Sequence, residues 1–359
     1  MNKYLRRIEL SGYKSCRSVA VELQPVNVLI GANGSGKSNF LSVFRLMKAL
    51  FSGNLQRFGE KSNASTLFYN GEKTMKVIRL HMVSTDADYS ADVGLTDDGR
   101  LCVQQESLTS KRQTFKGATS VESGLDFSNR GLNDAMACRL IQPENWRVWH
   151  FNDASRSAQM RQEQPLEHCE TLQEDGTNLV PFLYWLQRVY PANYFDIVRV
   201  MQRAMPFFDD FILEPTEGGN GTIQLRWRQK GCEAVFGIEQ LSDGTLRFLC
   251  LAALLLQPAA LQPDVVVMDE PELGLHPYTL TLLAGLVRSV AVDHQVIIST
   301  QSVELLNEFN VDEVLVADRD GEGTRLKRLN EEELRVWLED GYSLGELWQK
   351  NLLGGRLSR

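Results

Sequence analysis

The sequence predicts an α/β fold with a mixed or parallel core sheet, and three apolar runs support this prediction. The runs cover residues 26–30, 264–269 and 295–300, and each leads into glycine-rich or polar residues. Such short runs are typical of strands that are buried on both faces of a parallel sheet. Apolar residues at helical spacing occur over residues 39–50, so a helix is expected to cover that sheet.

The segment between the first apolar run and its helix has the sequence of a phosphate-binding loop. Gly31-Ala-Asn-Gly-Ser-Gly-Lys37-Ser38 fits G-x-x-x-x-G-K-[ST] at every fixed position, and a strand before it and a helix after it are the context that the motif requires. Lys37 can reach the β- and γ-phosphates of ATP, and the Ser38 hydroxyl can ligate Mg²⁺. We therefore predict ATP and Mg²⁺ as ligands. The predicted nucleotide-binding residues of the loop are Gly31, Asn33, Gly34, Ser35, Gly36, Lys37, Ser38 and Asn39.

The second apolar run ends in two acids, Asp269 and Glu270. A carboxylate at the C-terminal end of a parallel strand lies where α/β sheets bind their ligands. Asp269 is suited to hold Mg²⁺, directly or through water, and Glu270 is suited to orient or deprotonate the water that attacks the γ-phosphate. Two acids in a turn after a core strand are the alternative, which we would prefer if the phosphate loop were absent.

The third apolar run ends at Gln301-Ser302. A glutamine side chain can donate an amide hydrogen to a phosphate but cannot titrate near neutral pH. Gln301 could therefore contact a phosphate, but it is not suited to an acid–base role. The alternative is a polar strand end that caps a helix.

Residues 241–247, Leu-Ser-Asp-Gly-Thr-Leu-Arg, precede an apolar helix that is expected to run from Thr245 to Leu256. A serine hydroxyl, backbone N–H groups and a helix N-terminus together bind anions well. The residues predicted to contact a phosphate are Ser242, Asp243 and Gly244. A serine-capped helix without any nucleotide contact is the alternative.

These four segments, in this order, resemble the RecF/SMC-like branch of the ABC-type ATPases. More narrowly, the chain resembles compact bacterial RecF-type ATPases without a coiled-coil arm, which are related to the ATPase half of OLD-family proteins. Further stretches that match the compact type are residues 7–15, 149–155, 175–179 and 342–348. The resemblance implies an ABC-type head with an antiparallel β-subdomain and a short helical lid. It also implies an ATP-bound homodimer, in which each signature loop (residues 241–247) faces the nucleotide of the other head.

The chain departs from the usual pattern of ABC-type ATPases at two places. Gln301 stands where these proteins usually carry a histidine that senses the γ-phosphate, so the resemblance implies that Gln301 contributes to catalysis by sensing phosphate. Asp243 and Thr245 replace the glycine and glutamine of the transporter-type signature loop. The second departure is the RecF-like form of the loop, so it does not indicate an inactive site.

We predict a single head over residues 1–359, divided into consecutive segments. Three strand-like stretches within residues 75–105 predict an antiparallel meander, and the polar residues 106–135 are expected to form a mobile loop. Helices are expected over residues 179–208, and a hairpin over residues 211–227. The segments are a phosphate-loop lobe (1–50), the β-subdomain with its mobile loop (51–135), a helical lid and hairpin (136–240), a lobe with the signature, Walker B and switch residues (241–329) and a helical tail (330–359).

Composition predicts a cytoplasmic protein that does not contact a membrane. No apolar run reaches the ~18 residues of a membrane span; the longest candidate, Leu249–Leu256, stops at Gln257-Pro258. No signal peptide is evident at the N-terminus. The 6 cysteines include no C-x-x-C pair, which argues against zinc and for reduced thiols.

The resemblance implies an ATP-driven switch or scaffold that acts with a separately encoded effector, a nuclease or toxin, in DNA repair or antiphage defence. DNA contact is implied by the family alone, because the net charge is −8. Several arginines could line a groove in a dimer, but solvated surface charge is the preferred interpretation. These arginines are Arg139, Arg147, Arg156 and Arg161.

Two other functions remain open. The first is an OLD-type nuclease that acts on DNA itself, since Asp318-Arg-Asp320 resembles the D-x-D pair of its metal-binding domain. Only 39 residues follow Asp320, too few for the rest of that domain, so a turn after the last strand of the head is preferred. The second and weaker alternative is a transporter ATPase subunit.

Overall fold

The structure is a computed structural model. It describes residues 5–71, 74–110, 113–117, 119–123, 140–167, 169–216 and 221–355. The chain divides into two compact units. Unit 1 comprises Met1–Val148, Pro263–Asp269 and Ala291–Arg359, and unit 2 comprises Trp149–Gln262 and Glu270–Val290.

The strands within the described ranges, in chain order, are β1 (Leu5–Tyr13), β2 (Cys16–Glu22), β3 (Val26–Ile30), β4 (Ile78–Ser84), β5 (Ala87–Leu95), β6 (Leu101–Ser110), β7 (Thr114–Gly117), β8 (Val148–Trp149), β9 (Gln164–Pro165), β10 (Phe208–Ile212), β11 (Thr222–Ile223), β12 (Arg226–Gln229), β13 (Val235–Gly237), β14 (Val265–Asp269), β15 (Gln295–Ser299), β16 (Val314–Asp320) and β17 (Gly323–Arg328). The α-helices there are α1 (Lys37–Phe51), α2 (Leu55–Ser62), α3 (Leu179–Val189), α4 (Pro191–Ala204), α5 (Asp243–Leu255), α6 (Pro277–Val290), α7 (Val303–Leu306), α8 (Glu331–Glu339) and α9 (Leu344–Gln349). None of these helices combines the length and apolarity that a membrane crossing requires.

The core sheet of unit 1 is mixed and contains all three predicted apolar runs. Its strand order is β17-β16-β3-β15-β14-β8. β14, β15, β3 and β16 are parallel, and β17 runs antiparallel to β16. Every residue of β3 and β15 is buried, as expected for central strands with both faces covered. The predicted α/β fold with a mixed core sheet is therefore confirmed.

A second sheet of unit 1 is antiparallel, with the order β2-β1-β4-β5-β6-β7. β4, β5 and β6 form the predicted meander. The mobile loop predicted over residues 106–135 is wrong in its first part, because β6 continues to Ser110 and β7 follows it. Residues 124–135 lie outside the described part of the chain.

The prediction over residues 106–110 failed because this part of β6 buries a polar side chain. Glu106 is only 3% exposed and points inward beside Leu108, which is fully buried. The Tyr89 hydroxyl donates to Glu106 Oε1 at 2.6 Å, and the Ser123 hydroxyl donates to the same carboxylate at 2.8 Å. A satisfied buried carboxylate permits strand structure in a sequence whose composition is typical of a loop.

Unit 2 is built around α5, whose residues from Phe248 to Leu255 are all buried. α4 packs against both α5 and α6. The predicted helices over residues 179–208 are α3 and α4, and the predicted hairpin is the antiparallel pair of β10 and β12. The burial of α5 explains why Leu249–Leu256 is so apolar: it is a core helix.

The C-terminal part of unit 1 contains the predicted helical tail as α8 and α9. The two acids Asp318 and Asp320 are not in a turn after the last strand; they are part of β16, and β17 follows them. After α9 the chain returns to the core sheet, where the Ala32 amide donates to the Gly355 carbonyl at 2.6 Å.

Candidate functional site

The predicted phosphate loop connects β3 to α1 in unit 1. Its backbone requires glycine at two places where side chains would collide with neighbouring strands. A Cβ on Gly36, whose φ is 102°, would lie 1.9 Å from Thr324 Oγ1. A Cβ on Gly31 would lie 2.3 Å from the Ala317 carbonyl oxygen. The loop therefore packs tightly against β16 and β17, and only glycine permits this close approach at the two positions.

Lys37 is held inside this loop and is only 5% exposed. Its Nζ donates to the carbonyl oxygens of Gly31 at 2.6 Å and of Ala32 at 3.1 Å. The ammonium thus lies at the N-terminus of α1, where the helix dipole and the charge act together on an anion. A loop with a buried lysine at a helix N-terminus is suited to bind phosphate.

The other loop residues differ in exposure. Asn33, Gly34 and Ser38 are exposed, and Asn39 is half-buried. The Ser35 hydroxyl is buried and has no hydrogen-bond partner among the described residues. A polar atom buried in this way is costly, so Ser35 is a candidate to gain a partner when a ligand binds.

Three polar side chains form the floor under the phosphate loop. Thr324 Oγ1 lies 2.8 Å from Ser15 Oγ and donates to the Ser35 carbonyl at 3.0 Å. Asn39 Nδ2 donates to Ser15 Oγ at 2.8 Å. The sequence analysis did not single out Ser15 or Thr324 as site residues. Ser15 ends the stretch 7–15 that matches compact RecF-type proteins, whereas Thr324 carries no sequence signal.

An open groove of 730 Å³ lies beside this floor. Lys14 and Arg319 bring two cations to it, whereas the side chain of Phe68 in its lining is buried in the core. Lys14 Nζ donates to Ser42 Oγ at 2.9 Å, and burial lowers the pKa of its ammonium. The volume is in the range typical of small-molecule sites, and the two cations favour an anionic ligand. The complete lining is Lys14, Ser15, Asn39, Ser65, Thr66, Phe68, Asn70, Gly71 and Arg319.

Asp269 lies at the same carboxyl edge of the core sheet as the phosphate loop, with β15 between the two strands. It is paired in register with Ser299 of β15, whose hydroxyl donates to Asp269 Oδ1. Ser299 is fully buried and was not recognised from the sequence. Its hydroxyl orients the carboxylate, as outer hydrogen bonds do for metal ligands.

Gln301 is exposed and follows β15 by two residues. The helix-capping role that was its alternative belongs to the next residue, because Ser302 Oγ accepts the Leu305 amide at 3.1 Å. Because Gln301 follows the carboxyl end of β15, which is parallel to β14, it lies at the same edge of the core sheet as Asp269. Its phosphate-sensing role stays a prediction.

Glu270 is the first residue after Asp269, and its backbone is left-handed, with φ at 49°. A residue other than glycine adopts this conformation at a cost, and such residues are enriched at functional sites. The chain then passes through a turn that leads to α6, in which the Leu275 amide donates to the Glu272 carbonyl at 3.0 Å. Its catalytic role stays a prediction.

The signature loop, residues 241–247, lies in unit 2. Ser242 caps α5, because its Oγ accepts the Thr245 amide at 3.1 Å. The helix begins at Asp243, two residues before the predicted start at Thr245. This is because Ser242, which precedes the helix, satisfies a backbone amide of the first turn. Gly244 packs against the backbone of Gly274, where a Cβ would lie 2.1 Å from the carbonyl oxygen.

The interpretation of Arg161 as solvated surface charge is wrong. Its side chain is only 5% exposed and pairs with Asp243 Oδ1 at 2.8 Å. Arg156 is exposed and Arg147 is half-buried, whereas Arg139 lies outside the described residues. A cation can remain buried in a protein when hydrogen-bond partners satisfy it. The partner of Arg161, Asp243, is distant from it in sequence.

Unit 1 has the strand order and loop geometry of a P-loop nucleotide-binding domain, in which one strand separates the phosphate-loop strand from the acid-ended strand. The chain belongs to the protein family described as "AAA domain, putative AbiEii toxin, Type IV TA system", whose sequence profile matches residues 26–135 and 147–307. No curated protein matches the chain.

Solved structures of Smc heads have the same fold. The crystal structure of an SmcHead bound to the C-winged helix domain of ScpA is 18% identical, with a TM-score of 0.59 over 92% of this chain and 99% of that chain. An Smc head with an extended coiled coil, bound to the C-terminal domain of ScpA derived from Pyrococcus furiosus, is 16% identical, with a TM-score of 0.58 over 94% of this chain and 99% of that one.

A third structure, the Smc head with a coiled coil and joint from Pyrococcus yayanosii, is 14% identical, with a TM-score of 0.54 over 94% of this chain and 99% of that one. Likeness at these identities demonstrates the fold. Together with the family match, it confirms the predicted resemblance to SMC/RecF-like ABC-type ATPases.

Proposed function

We propose that the chain binds and hydrolyses ATP with Mg²⁺, and that ATP joins two copies head to head as a homodimer. The observation that carries this proposal is the presence of two helix N-termini that are suited to bind anions, one at the phosphate loop and one at Ser242. The first has its own lysine, Lys37, for the β- and γ-phosphates. The second combines a serine cap with backbone N–H groups, which suits the γ-phosphate of a nucleotide held by the other copy.

The oxygen donors near the phosphate loop fit Mg²⁺. Ser38 supplies an exposed hydroxyl, and Asp269 supplies a carboxylate that Ser299 orients. Hard oxygen ligands of this kind are those that Mg²⁺ prefers. When bound, Mg²⁺ would neutralise charge on the β- and γ-phosphate oxygens.

Glu270 is the proposed general base, and Gln301 is the proposed phosphate sensor. Glu270 directly follows the metal-binding Asp269, and its carboxylate can orient or deprotonate the attacking water. Gln301 can donate an amide hydrogen to the γ-phosphate, but it cannot take up a proton from water near neutral pH. The proton transfer is therefore assigned to Glu270.

The groove beside the phosphate loop is the proposed site of the nucleoside and α-phosphate. Asn39 lies in the first turn of α1, directly after the phosphate loop, and it also lines the groove. The groove therefore adjoins the loop. Lys14 and Arg319 offer charge to a phosphate.

The dimer proposal is tested by measuring molar mass by light scattering on size exclusion, with and without ATP and Mg²⁺. We expect Glu270→Gln to accumulate as an ATP-bound dimer, because ATP binds and is not consumed. Lys37→Ala is expected to lose ATP binding and to stay monomeric, since the loop loses its cation. Lys48→Ala, at the far end of the same helix, is the matched control and is expected to dimerise like the wild type.

A Glu270→Gln protein that binds ATP and remains monomeric would sink the dimer model. Chelation of Mg²⁺ with EDTA is expected to abolish hydrolysis in the wild type, as measured by phosphate release. Hydrolysis that persists after chelation would remove Ser38 and Asp269 from the proposed roles.

We propose further that the dimer is a switch or scaffold for a separately encoded effector, a nuclease or toxin, in DNA repair or antiphage defence. The family description names a toxin of a type IV toxin–antitoxin system, and two Smc-head structures contain a ScpA domain as their protein partner. Both support a role that involves a second gene product. The free cysteines Cys16, Cys102, Cys169, Cys232 and Cys250 are compatible with the proposed cytoplasmic location.

The competing function is an OLD-type nuclease that acts on DNA itself. Its sequence basis is the pair Asp318 and Asp320, but Asp320 pairs with Arg325 at 3.0 Å within the β16–β17 hairpin. No group of three or more His, Cys, Asp or Glu side chains that could hold a metal ion is found among the residues that the structure describes. We expect purified protein to leave DNA intact with Mg²⁺ or Mn²⁺; cleavage without a partner would overturn the switch model.

A further inference from the structure

The guanidinium of Arg161 is buried beneath the signature loop in unit 2. Its Nε donates to the Ala154 carbonyl at 2.9 Å. One terminal nitrogen donates to the carbonyls of Ile238 at 2.7 Å and Leu241 at 3.1 Å, and the other donates to Asp243 Oδ1 at 2.8 Å. A buried charge is costly unless it is paired and hydrogen-bonded, and Arg161 meets both conditions.

A second arginine ties the signature loop to the same stretch of chain. Arg247 donates to the carbonyls of Phe151 at 3.1 Å and Asn152 at 2.7 Å. The stretch 151–161 is therefore hydrogen-bonded to the signature loop at both of its ends. This contact gives a physical role to residues 149–155, which the proposed catalytic steps do not use.

The signature loop contains an acid at the position where, in the proposed dimer, it would bind an anion. Asp243 is the first residue of α5, and its side chain is 54% exposed. An unpaired carboxylate there would repel a phosphate that approaches the helix N-terminus. The bond to Arg161 turns one carboxylate oxygen toward the interior of unit 2 and offsets its charge.

We propose that Arg161 is the positioning residue of the signature loop, and that its charge allows a loop containing Asp243 to accept the γ-phosphate of a nucleotide bound to a second copy of this chain. The inference rests on the proposed ATP-dependent dimer. Arg161 acts through the loop and does not touch the nucleotide. If Arg161 had only a structural role, replacing it would lower the stability of the protein in the same way. Its effect on dimerisation would then not depend on the charge of residue 243.

The test measures three properties of each variant: the ATP concentration at which half of the protein is dimeric, the ATP affinity of the monomer, and the melting temperature. Dimers are measured by light scattering in the Glu270→Gln background, and monomer affinity is measured by fluorescence of a labelled ATP at low protein concentration. The variants are Arg161→Met, Arg161→Lys, Asp243→Asn and the double variant Arg161→Met/Asp243→Asn, with Arg156→Met as the exposed-arginine control.

We expect Arg161→Met to raise the half-dimer ATP concentration roughly tenfold or more, because a buried charged partner is removed. Monomer ATP affinity is expected to stay within about twofold, since the phosphate loop is in unit 1. Asp243→Asn alone is expected to lower the half-dimer concentration roughly threefold, because a repulsive charge is removed. Asp243→Asn in the Arg161→Met background is expected to recover most of the lost dimerisation while the melting temperature stays low.

Arg161→Lys keeps the charge but loses the planar set of donors, so we expect a half-dimer ATP concentration between those of the parent and Arg161→Met. This variant replaces Arg161→Met in the test if Arg161→Met does not fold. The inference is overturned if folded Arg161→Met or Arg161→Lys dimerises like the Arg156→Met control. It is also overturned if Asp243→Asn fails to restore dimerisation, or by itself weakens dimerisation more than tenfold. A Glu270→Gln parent that never dimerises overturns the proposed function and this inference together, whereas a dimeric parent with unaffected variants overturns the inference alone.

Discussion

The phosphate loop and the signature loop are both helix N-termini suited to anions, but different groups hold them in place. The phosphate loop is held by neutral contacts, from the Thr324 hydroxyl and the Gly355 carbonyl. The signature loop is held by two guanidinium groups, those of Arg161 and Arg247. The helix after the first loop begins with a lysine, Lys37, whereas the helix after the second begins with an acid, Asp243.

We infer from this difference that the charge of the first helical residue, Lys37 or Asp243, influences which contacts can support each loop. The phosphate loop attracts phosphate through its own ammonium, that of Lys37. Neutral hydroxyl and carbonyl groups are therefore sufficient to support this loop. In the proposed dimer, we expect the helix that begins with Asp243 to need the cation of Arg161 behind it before it can attract the same ligand. The two loops are therefore expected to fail differently when their supports are removed.

The largest effect in this comparison is expected for Gly36→Ala in the phosphate loop. A Cβ there would overlap Thr324 Oγ1, and its φ of 102° is unfavourable for alanine. The two costs together are expected to weaken ATP binding roughly a hundredfold, as measured by calorimetry. Gly34→Ala is the control, because its φ is 82° but nothing lies within 4 Å of its Cβ, so a smaller loss is expected. Equal losses in the two variants would show that collision with β17 does not matter.

An intermediate effect is expected for Arg247→Met in the signature loop. The carbonyls of Phe151, Asn152 and Leu273 lose a charged donor, but Asn152 is exposed and water can replace part of the loss. We expect ATP-driven dimerisation to weaken roughly fivefold to tenfold, with monomer ATP affinity unchanged. The measurement is the same light-scattering titration as for Arg161. A fall in monomer ATP affinity would contradict the separation of the two loops.

The smallest effect is expected for Gly355→Ala, compared with its matched neighbour Gly354→Ala. The two glycines have nearly the same φ, 80° and 79°, so the backbone strain of the two variants is matched. A Cβ on Gly355 would lie 3.2 Å from Gly31 Cα and 3.0 Å from a Val316 methyl group, whereas a Cβ on Gly354 would have its nearest neighbour at 4.0 Å.

We expect Gly355→Ala to bind ATP roughly threefold to tenfold more weakly than Gly354→Ala, because only the first variant pushes the chain away from the phosphate loop. Fluorescence titration with labelled ATP measures the difference. Identical affinities would mean that the contact between Gly355 and Ala32 does not support the loop.

Much of the fold and the core of the candidate site could be predicted from the sequence, because their signals are local. The phosphate loop, the strand that ends at Asp269 and the helix capped by Ser242 are each contiguous stretches whose residues act on their own backbone. The meander was predictable for the same reason, since alternation within a strand is read directly along the chain.

The errors at Arg161 and at residues 106–110, and the omission of Ser299 and Thr324, share one cause, which is a polar side chain whose partner is distant in sequence. Arg161 was assigned to the surface because a lone arginine usually lies there, and its partner Asp243 is separated from it by many residues. Glu106 made a strand look like a loop, because the Tyr89 hydroxyl that satisfies it lies on the neighbouring strand. Ser299 and Thr324 are buried hydroxyls in ordinary strand sequence, and nothing local marks them.

The sequence by itself determined which groups are candidates to act on a nucleotide: the lysine and glycines of the phosphate loop, the paired acids Asp269 and Glu270, and the serine-capped helix after residue 241. These are chemical properties of short segments, and they persist in any fold that exposes them. Only the tertiary structure decided what supports each loop, with Thr324 and Gly355 under one and Arg161 under the other. Such contacts join residues that are far apart along the chain, and their energy depends on burial and distance, which no local pattern of residues encodes.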